Sequence, residues 1–439
     1  MQALVVLLVA LETVLAICPV PEPRAVPATP PIEPGTIVYE WVEVDFDWPS
    51  EEAKAEYVAD GRYVPSHNLL SAVKTYKDQV YVTIPRLGYT TGVPSTLNVV
   101  VTKGGKSVLR PFPSWEAQEQ GNCDALQCAM SIEIDPNDAL IYVIDPGRAG
   151  ILGQNTTLPR PTLCPAKLVV YNLTDGSLVR RHFLPEHLVS KETNYLNDIV
   201  LDRGSRYLRS ASHVYITDAA DAKLIAFDLR TNTTSVFYHP SMDADPGAGS
   251  DITVNGKVYR LPIPIDGLAI SPDFGYVYYC ALGSKDLYQV PSKVLRDPSV
   301  DFASHVRYVG SKVSQTGGMV FASSNLYFGA LTENAVYRWE VARDKILQRV
   351  DEGSVEMKTQ TLVVKDDVQL QWPDSFTVDD HGYLWFSACK AHLFLRGGMD
   401  YTGKSGPNYR IWKVKISENS YLQPSYIPIP SPIPVDIFG

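Results

Sequence analysis

The sequence predicts an all-β, six-bladed β-propeller, and three observations carry that prediction. A short strand of one character recurs six times, at Gln79–Pro85, Leu140–Pro146, His213–Ala219, Tyr276–Leu282, Asn325–Leu331 and Tyr383–Cys389. Partner strands follow five of the six, at Lys167–Leu173, Lys223–Arg230, Asp286–Pro291, Ala335–Val341 and Tyr409–Ile416. The repeat falls at roughly 50 to 70 residues with several short strands per unit, which is what one propeller blade needs. Six such units fill the chain.

The elements follow in order. Residues 1–17 read as a signal peptide: Ala3–Ile17 is apolar except for Glu12 and Thr13, and too short to span a bilayer comfortably. Residues 18–37 are a Pro-rich linker with polyproline character. The propeller is expected over 38–420. Inside it, Val38–Phe46 alternates like a strand. Ser50–Asp60 reads as a short helix, capped by Ser50, with Glu51 and Glu52 facing the positive end of its dipole and Gly61 ending it. Each blade then opens on a short apolar strand, such as Ala129–Ile134, Asp198–Leu201, Gly267–Ile270, Gly318–Phe321 or Ser375–Val378. Residues 421–439 form a second Pro-rich tail.

Composition narrows the partners. The 439 residues are 45% hydrophobic, enough for a substantial core, and carry a formal charge of −10. That balance argues against a nucleic-acid backbone as partner, and no basic run or later apolar segment suggests a membrane. Sequons at Asn155, Asn172 and Asn232 are expected glycosylation sites on a secreted, extracellular chain. Beyond Cys18, five cysteines remain, an odd number for such a chain. Cys280 is expected to pair with Cys389, and Cys164 with Cys123 or Cys128.

The first strand of a blade lines the central channel, so residues that open those strands converge on one mouth. Here they are Gln127, Asn197 with Asp198, Asp266, Gln315 with Thr316, and Asp374. All are polar, and a ring of carboxylates and amides around a channel is where a ligand sits. The plainer alternative is that each bonds its local backbone, as such residues often do at loop–strand junctions. Metalloprotease, nucleophile-elbow and phosphate-loop motifs are missing, and no cofactor or metal ligand set is expected. His182 and His187 read as surface-loop residues, and His239 as a turn or packing residue.

Local motifs give the family. Trp41-Val42-Glu43-Val44-Asp45-Phe46, Pro49-Ser50-Glu51-Glu52-Ala53, Val82-Thr83-Ile84-Pro85-Arg86 and Pro113-Ser114-Trp115-Glu116-Ala117 resemble the Yellow / major royal jelly protein family. So do Gly121-Asn122-Cys123, Val143-Ile144-Asp145-Pro146-Gly147, Cys164-Pro165-Ala166-Lys167-Leu168, Asn197-Asp198-Ile199-Val200-Leu201-Asp202 and His239-Pro240-Ser241-Met242. The matches run in family order from about residue 38 to 415. Departures mark a divergent member: Asp135-Pro136-Asn137-Asp138 lacks the family's cysteine, Tyr142 stands for its Trp, and the Pro-rich termini are unlike an insect member. Cys128, in the preceding strand, is a candidate for the missing cysteine's disulfide role.

The resemblance implies a six-bladed fold and one of several duties: dopachrome conversion in a pigment pathway, nutrition, or the holding of biogenic amines in the channel. Tautomerising a dopachrome-like quinone needs a base near an acidic carbon and a donor for the developing oxygen. Asp198, Asp266 or Asp374 would be the base, with Asn197, Gln315 or Thr316 as donors. A binding protein would instead set an ammonium on those carboxylates and an aromatic ring on Phe328, with Asn334 adding a hydrogen bond. A Ca²⁺-dependent hydrolase using channel carboxylates is a third, weaker reading.

Overall fold

The computed structural model describes residues 34–152 and 164–423. Within them, six four-stranded antiparallel sheets stand around an axis as the blades of a propeller. Their innermost strands are Val73–Tyr76, Ile132–Asp135, Leu196–Asp202, Ile265–Ile270, Met319–Phe321 and Pro373–Val378, in blades one to six. Successive innermost strands adjoin, and the sixth adjoins the first. The recurring sequence strand is the second of each blade, and all six fall where the repeat places them, from Gln79–Thr83 to Tyr383–Ala388.

Ring closure uses both ends of the described chain. Thr36–Trp41 pairs antiparallel with Tyr409–Lys415, so the N-terminal strand is the outer strand of the sixth blade. That strand begins inside the expected linker and stops at Trp41; Phe46 makes only an isolated bridge to Leu109. The helix forms over Glu51–Ala59, and the Ser50 hydroxyl accepts from Ala53 N at 3.1 Å, as its cap requires. Tyr421 and Leu422, expected to begin the tail, are instead buried. The signal-peptide, most of the linker, the Asn155 sequon and the rest of the tail lie outside the described residues.

One position of the repeat stitches the blades together. In Val-Tyr-Val-Thr83, Val-Tyr-Ile-Thr217 and Leu-Trp-Phe-Ser387 the fourth residue is a hydroxyl facing the channel strands. Each accepts from its own blade's innermost strand and donates to the next. Ala72 N reaches Thr83 Oγ1 at 2.9 Å, and that hydroxyl donates to Met130 O at 2.8 Å. Asp198 N, Thr217 and Asp266 O repeat the pattern at 2.9 and 3.0 Å, as do Ser375 N, Ser387 and Ser71 O at 3.2 and 2.8 Å. Each hydroxyl thus satisfies one backbone donor and one backbone acceptor of two successive blades. In the fourth blade, Val-Tyr-Tyr-Cys280 puts a thiol in that place.

Candidate functional site

The acids are aimed by irregularities in the sheet. In the third, fourth and sixth blades the pairing of the first two strands shifts register once. The shifts lie between Leu196 and Ile199, between Ile265 and Leu268, and between Pro373 and Phe376. The residues inside the three shifts are Asn197-Asp198, Asp266-Gly267 and Asp374-Ser375. A bulge of this kind frees a residue from the ladder and re-aims its side chain. The side chains of Asn197, Asp198, Asp266 and Asp374 at these bulges line the central cavities.

Two cavities meet at this level. Asn197, Asp374 and Ser71 line both. One is apolar, walled by Leu69, Leu87, Leu152, Ile263, Leu282 and Trp372, with Asp266 and Asp374 at its polar end. The other is polar and lined by Asp198, Ser131, Glu133 and Lys74. At its far side, Tyr421 donates to Glu133 Oε2 at 3.1 Å and accepts from Leu201 N at 3.1 Å. Lys74 Nζ holds the same Glu133 oxygen at 3.0 Å. The chain's C-terminal described residues therefore stand across that end of the channel.

Burial sets the protonation of the three acids. Asp266 is 7% exposed. Loss of solvent raises its carboxyl well above the usual range, and the nearby charges of Asp374 and Asp198 raise it further, against the amide of Asn197, which donates to it. Desolvation pushes Asp374 up to about 6. Asp198 rises to about 7, again mainly by desolvation, with Lys74 opposing. Asp198 is also mechanically occupied: it accepts from Ile199 N at 2.9 Å and Leu268 N at 3.1 Å, tying the third blade to the fourth. Asp266 and Asp374 are the freer pair.

Blade five makes room for Asp374. A Cβ at Gly317 would overlap the Asp374 carboxylate, one at Gly318 its carbonyl, and one at Gly329 the carbonyl of Pro373. No other residue type lets the two backbones approach so closely.

Several residues expected in the ring are engaged elsewhere. Gln127 points away into the 119–125 loop, donating to Asn122 O at 2.7 Å and accepting from Gly121 N at 2.7 Å. Gln315 donates to Gly249 O and Asp251 O, and Thr316 to Gly318 O at 3.0 Å. Gln127 and Thr316 bond local backbone, as the plainer alternative has it, whereas Gln315 holds a loop more than 60 residues away in sequence. Phe328 is fully buried between blades four and five with Trp339 and Tyr278, because alternate residues of its strand face opposite sides. Asn334 sits in a left-handed turn and donates to Asn255 Oδ1 at 2.6 Å. His239 caps a short turn, accepting from Ser241 N at 3.1 Å. Missed by the sequence reading were the Lys74–Glu133 pair, Trp372 and Tyr421.

Among the described residues, the group whose ligand atoms converge within 4.8 Å is Asp379, Asp380 and His381, in a turn outside the apolar cavity. Asp379 is already used there, accepting from Tyr383 N and from Trp385 Nε1 at 2.7 Å. Also among the described residues, no helix is long and apolar enough to cross a membrane.

A family model described as major royal jelly protein matches residues 127–422. This chain belongs to the major royal jelly protein family. It is similar to major royal jelly protein 3 of Apis mellifera, 28% identical over 78% of this chain and 62% of that one. The chain thus spans under two thirds of that relative's length. Protein yellow of Drosophila melanogaster is 27% identical over 89% of this chain and 73% of its own. Among solved structures, a luciferin-regenerating enzyme aligns over 82% of this chain and 94% of its own at 10% identity, TM-score 0.45. Regucalcin from Agrobacterium tumefaciens aligns over 81% and 94% at 13% identity, TM-score 0.41. Neither bears on the chemistry.

The cysteines of this royal jelly family member resolve one expectation and correct another. Cys123 and Cys164 form the disulfide, and Cys128 is free and buried. Cys280 and Cys389 do not pair; both are free and buried. They belong to blades four and six, with blade five between them. Cys280 occupies the stitching position, its thiol against Gly267 and Lys312. Cys389 lies against the Trp372 carbonyl at 3.9 Å.

Proposed function

We propose that this chain is a secreted propeller whose channel binds a small aromatic, amine-bearing molecule and moves a proton on a dopachrome-type quinone. The observation that carries this reading is that Asp266 and Asp374 line the polar end of one apolar cavity, each at a sheet bulge. With one carboxyl near 6 and its neighbour well above the usual range, the pair holds a base and an acid together at neutral pH. Asp374 takes the proton from the acidic carbon. Asp266 donates to the oxygen that becomes an enol, and Asn197 orients it.

The apolar wall accepts the ring and excludes water, which strengthens both proton transfers. Secretion is supported by the Cys123–Cys164 disulfide and the apolar N-terminus. Glycan addition is supported by exposure: Asn232 is exposed in a turn and Asn172 partly exposed at a strand end.

A second reading is a carrier that holds a biogenic amine without turnover. The acid floor beneath an apolar wall favours it, because ring and ammonium are both satisfied with no chemistry required. The two readings separate in one paired assay: dopachrome decay followed by absorbance, and calorimetry with tyramine and serotonin. Accelerated decay that is lost in Asp374→Asn supports the isomerase. Amine binding with decay at the uncatalysed rate supports the carrier. Silence in both would end both readings.

A further inference from the structure

We infer that Trp372 is the aromatic platform of this site and the residue that makes it prefer aryl over alkyl amines. The inference rests on the amine-binding reading above and adds to it the group that selects the ligand. Trp372 has φ +60°, a left-handed backbone that a bulky residue adopts only under constraint. Pro373 follows it, and a residue before proline is steered towards extended backbone, so the conformation is disfavoured twice. Strain of this kind persists where the surroundings over-determine it, and it gathers at ligand sites.

The surroundings are visible. Cys389 N donates to the Trp372 carbonyl at 3.4 Å, and Gly329 lets the Pro373 carbonyl lie against blade five. One face of the indole stacks on His392, centroids 5.7 Å apart and planes at 24°. Tyr259 meets that imidazole edge-on at 4.9 Å. Burial, with Lys390 and Lys257 nearby, holds His392 down at about 4, so it is a neutral packing surface. Trp372 is 3% exposed and lines the cavity that holds Asp266 and Asp374. Trp372 and Asp374, two residues apart in the chain, thus line one cavity, with the indole backed by His392. A flat cation with its ammonium on the acids lays its ring on the indole.

The test compares tyramine with 2-cyclohexylethylamine, similar in size but without a π face, by calorimetry on the full chain. The wild type is expected to prefer tyramine roughly five- to tenfold, the worth of one aromatic pair. Trp372→Leu should bring that ratio to about one. Trp372→Phe, the milder variant should leucine unfold the blade, should narrow the ratio. A ratio unchanged in either folded variant overturns the platform and leaves the amine site standing. Failure of both amines to bind the wild type overturns the amine site and the platform together.

Discussion

Asp374 shows how one residue's burial becomes a measurable property. Its carboxyl is raised from 3.8 to about 6, so the folded state holds a proton that the unfolded chain gives up. Stability from this group is therefore greatest below about pH 4, falls as pH rises towards 6, and stays reduced above it. Asp374→Asn removes the penalty. We expect the variant to unfold at higher temperature than the wild type at pH 8, by about 1–3 kcal/mol, and to show little gain at pH 4. Calorimetric melts at the two pH values read it directly. Gly318 gives the complementary case: alanine there would press on the Asp374 carbonyl, and Gly318→Ala should cost at least ~2 kcal/mol in denaturant unfolding.

At the scale of the element, the second strand of each blade was legible because it repeats an aliphatic residue followed by Tyr or Trp between turn residues. The innermost strands were legible only approximately, since their bulges interrupt the alternation that marks a strand. Those bulges decide the site. Asp198, Asp266 and Asp374 could be picked out as polar residues opening a strand, but so could Gln127, Gln315 and Thr316, which bond loops instead. Nothing local separates the two groups, because the difference lies in the register with the neighbouring strand. Phe328 was misplaced for a related reason: strand faces alternate, and one residue decides between channel and blade core. Trp372 was invisible because what constrains it comes from Cys389, His392 and blade five.

The N-terminal strand was legible as alternation over Val38–Phe46, but its place as the outer strand of the sixth blade was not, because its partner lies more than 360 residues away in Tyr409–Lys415. Removing residues through Trp41 leaves the sixth blade with three strands and an open edge. We expect that truncation to lower the denaturation midpoint and to broaden the transition, monitored by tryptophan fluorescence.

Across the whole molecule, closure is distributed among covalent, strand and side-chain links. The Cys123–Cys164 disulfide spans 41 residues and restricts the unfolded chain. Its loss in Cys123→Ser/Cys164→Ser is expected to cost about 4 kcal/mol, read by urea unfolding. Tyr421 closes the channel from the other direction, and its hydroxyl is the shared partner of Glu133 and Leu201 N. Tyr421→Phe leaves both without it and should cost about 1–3 kcal/mol in the same experiment. The hydroxyl stitches at Thr83, Thr217 and Ser387 keep the innermost strands in place between these closures, and so hold the acids together.

On the proposed function, Asp266 and Asp374 make the channel the working site. Calorimetric titration of tyramine from pH 5 to pH 8 tests it, using the wild type and the Asp266→Asn/Asp374→Asn double variant, each checked for a cooperative melt. Affinity in the wild type should rise by about tenfold as Asp374 gives up its proton, and the double variant should bind weakly at every pH. Tight, pH-independent binding retained in the folded double variant would contradict the account.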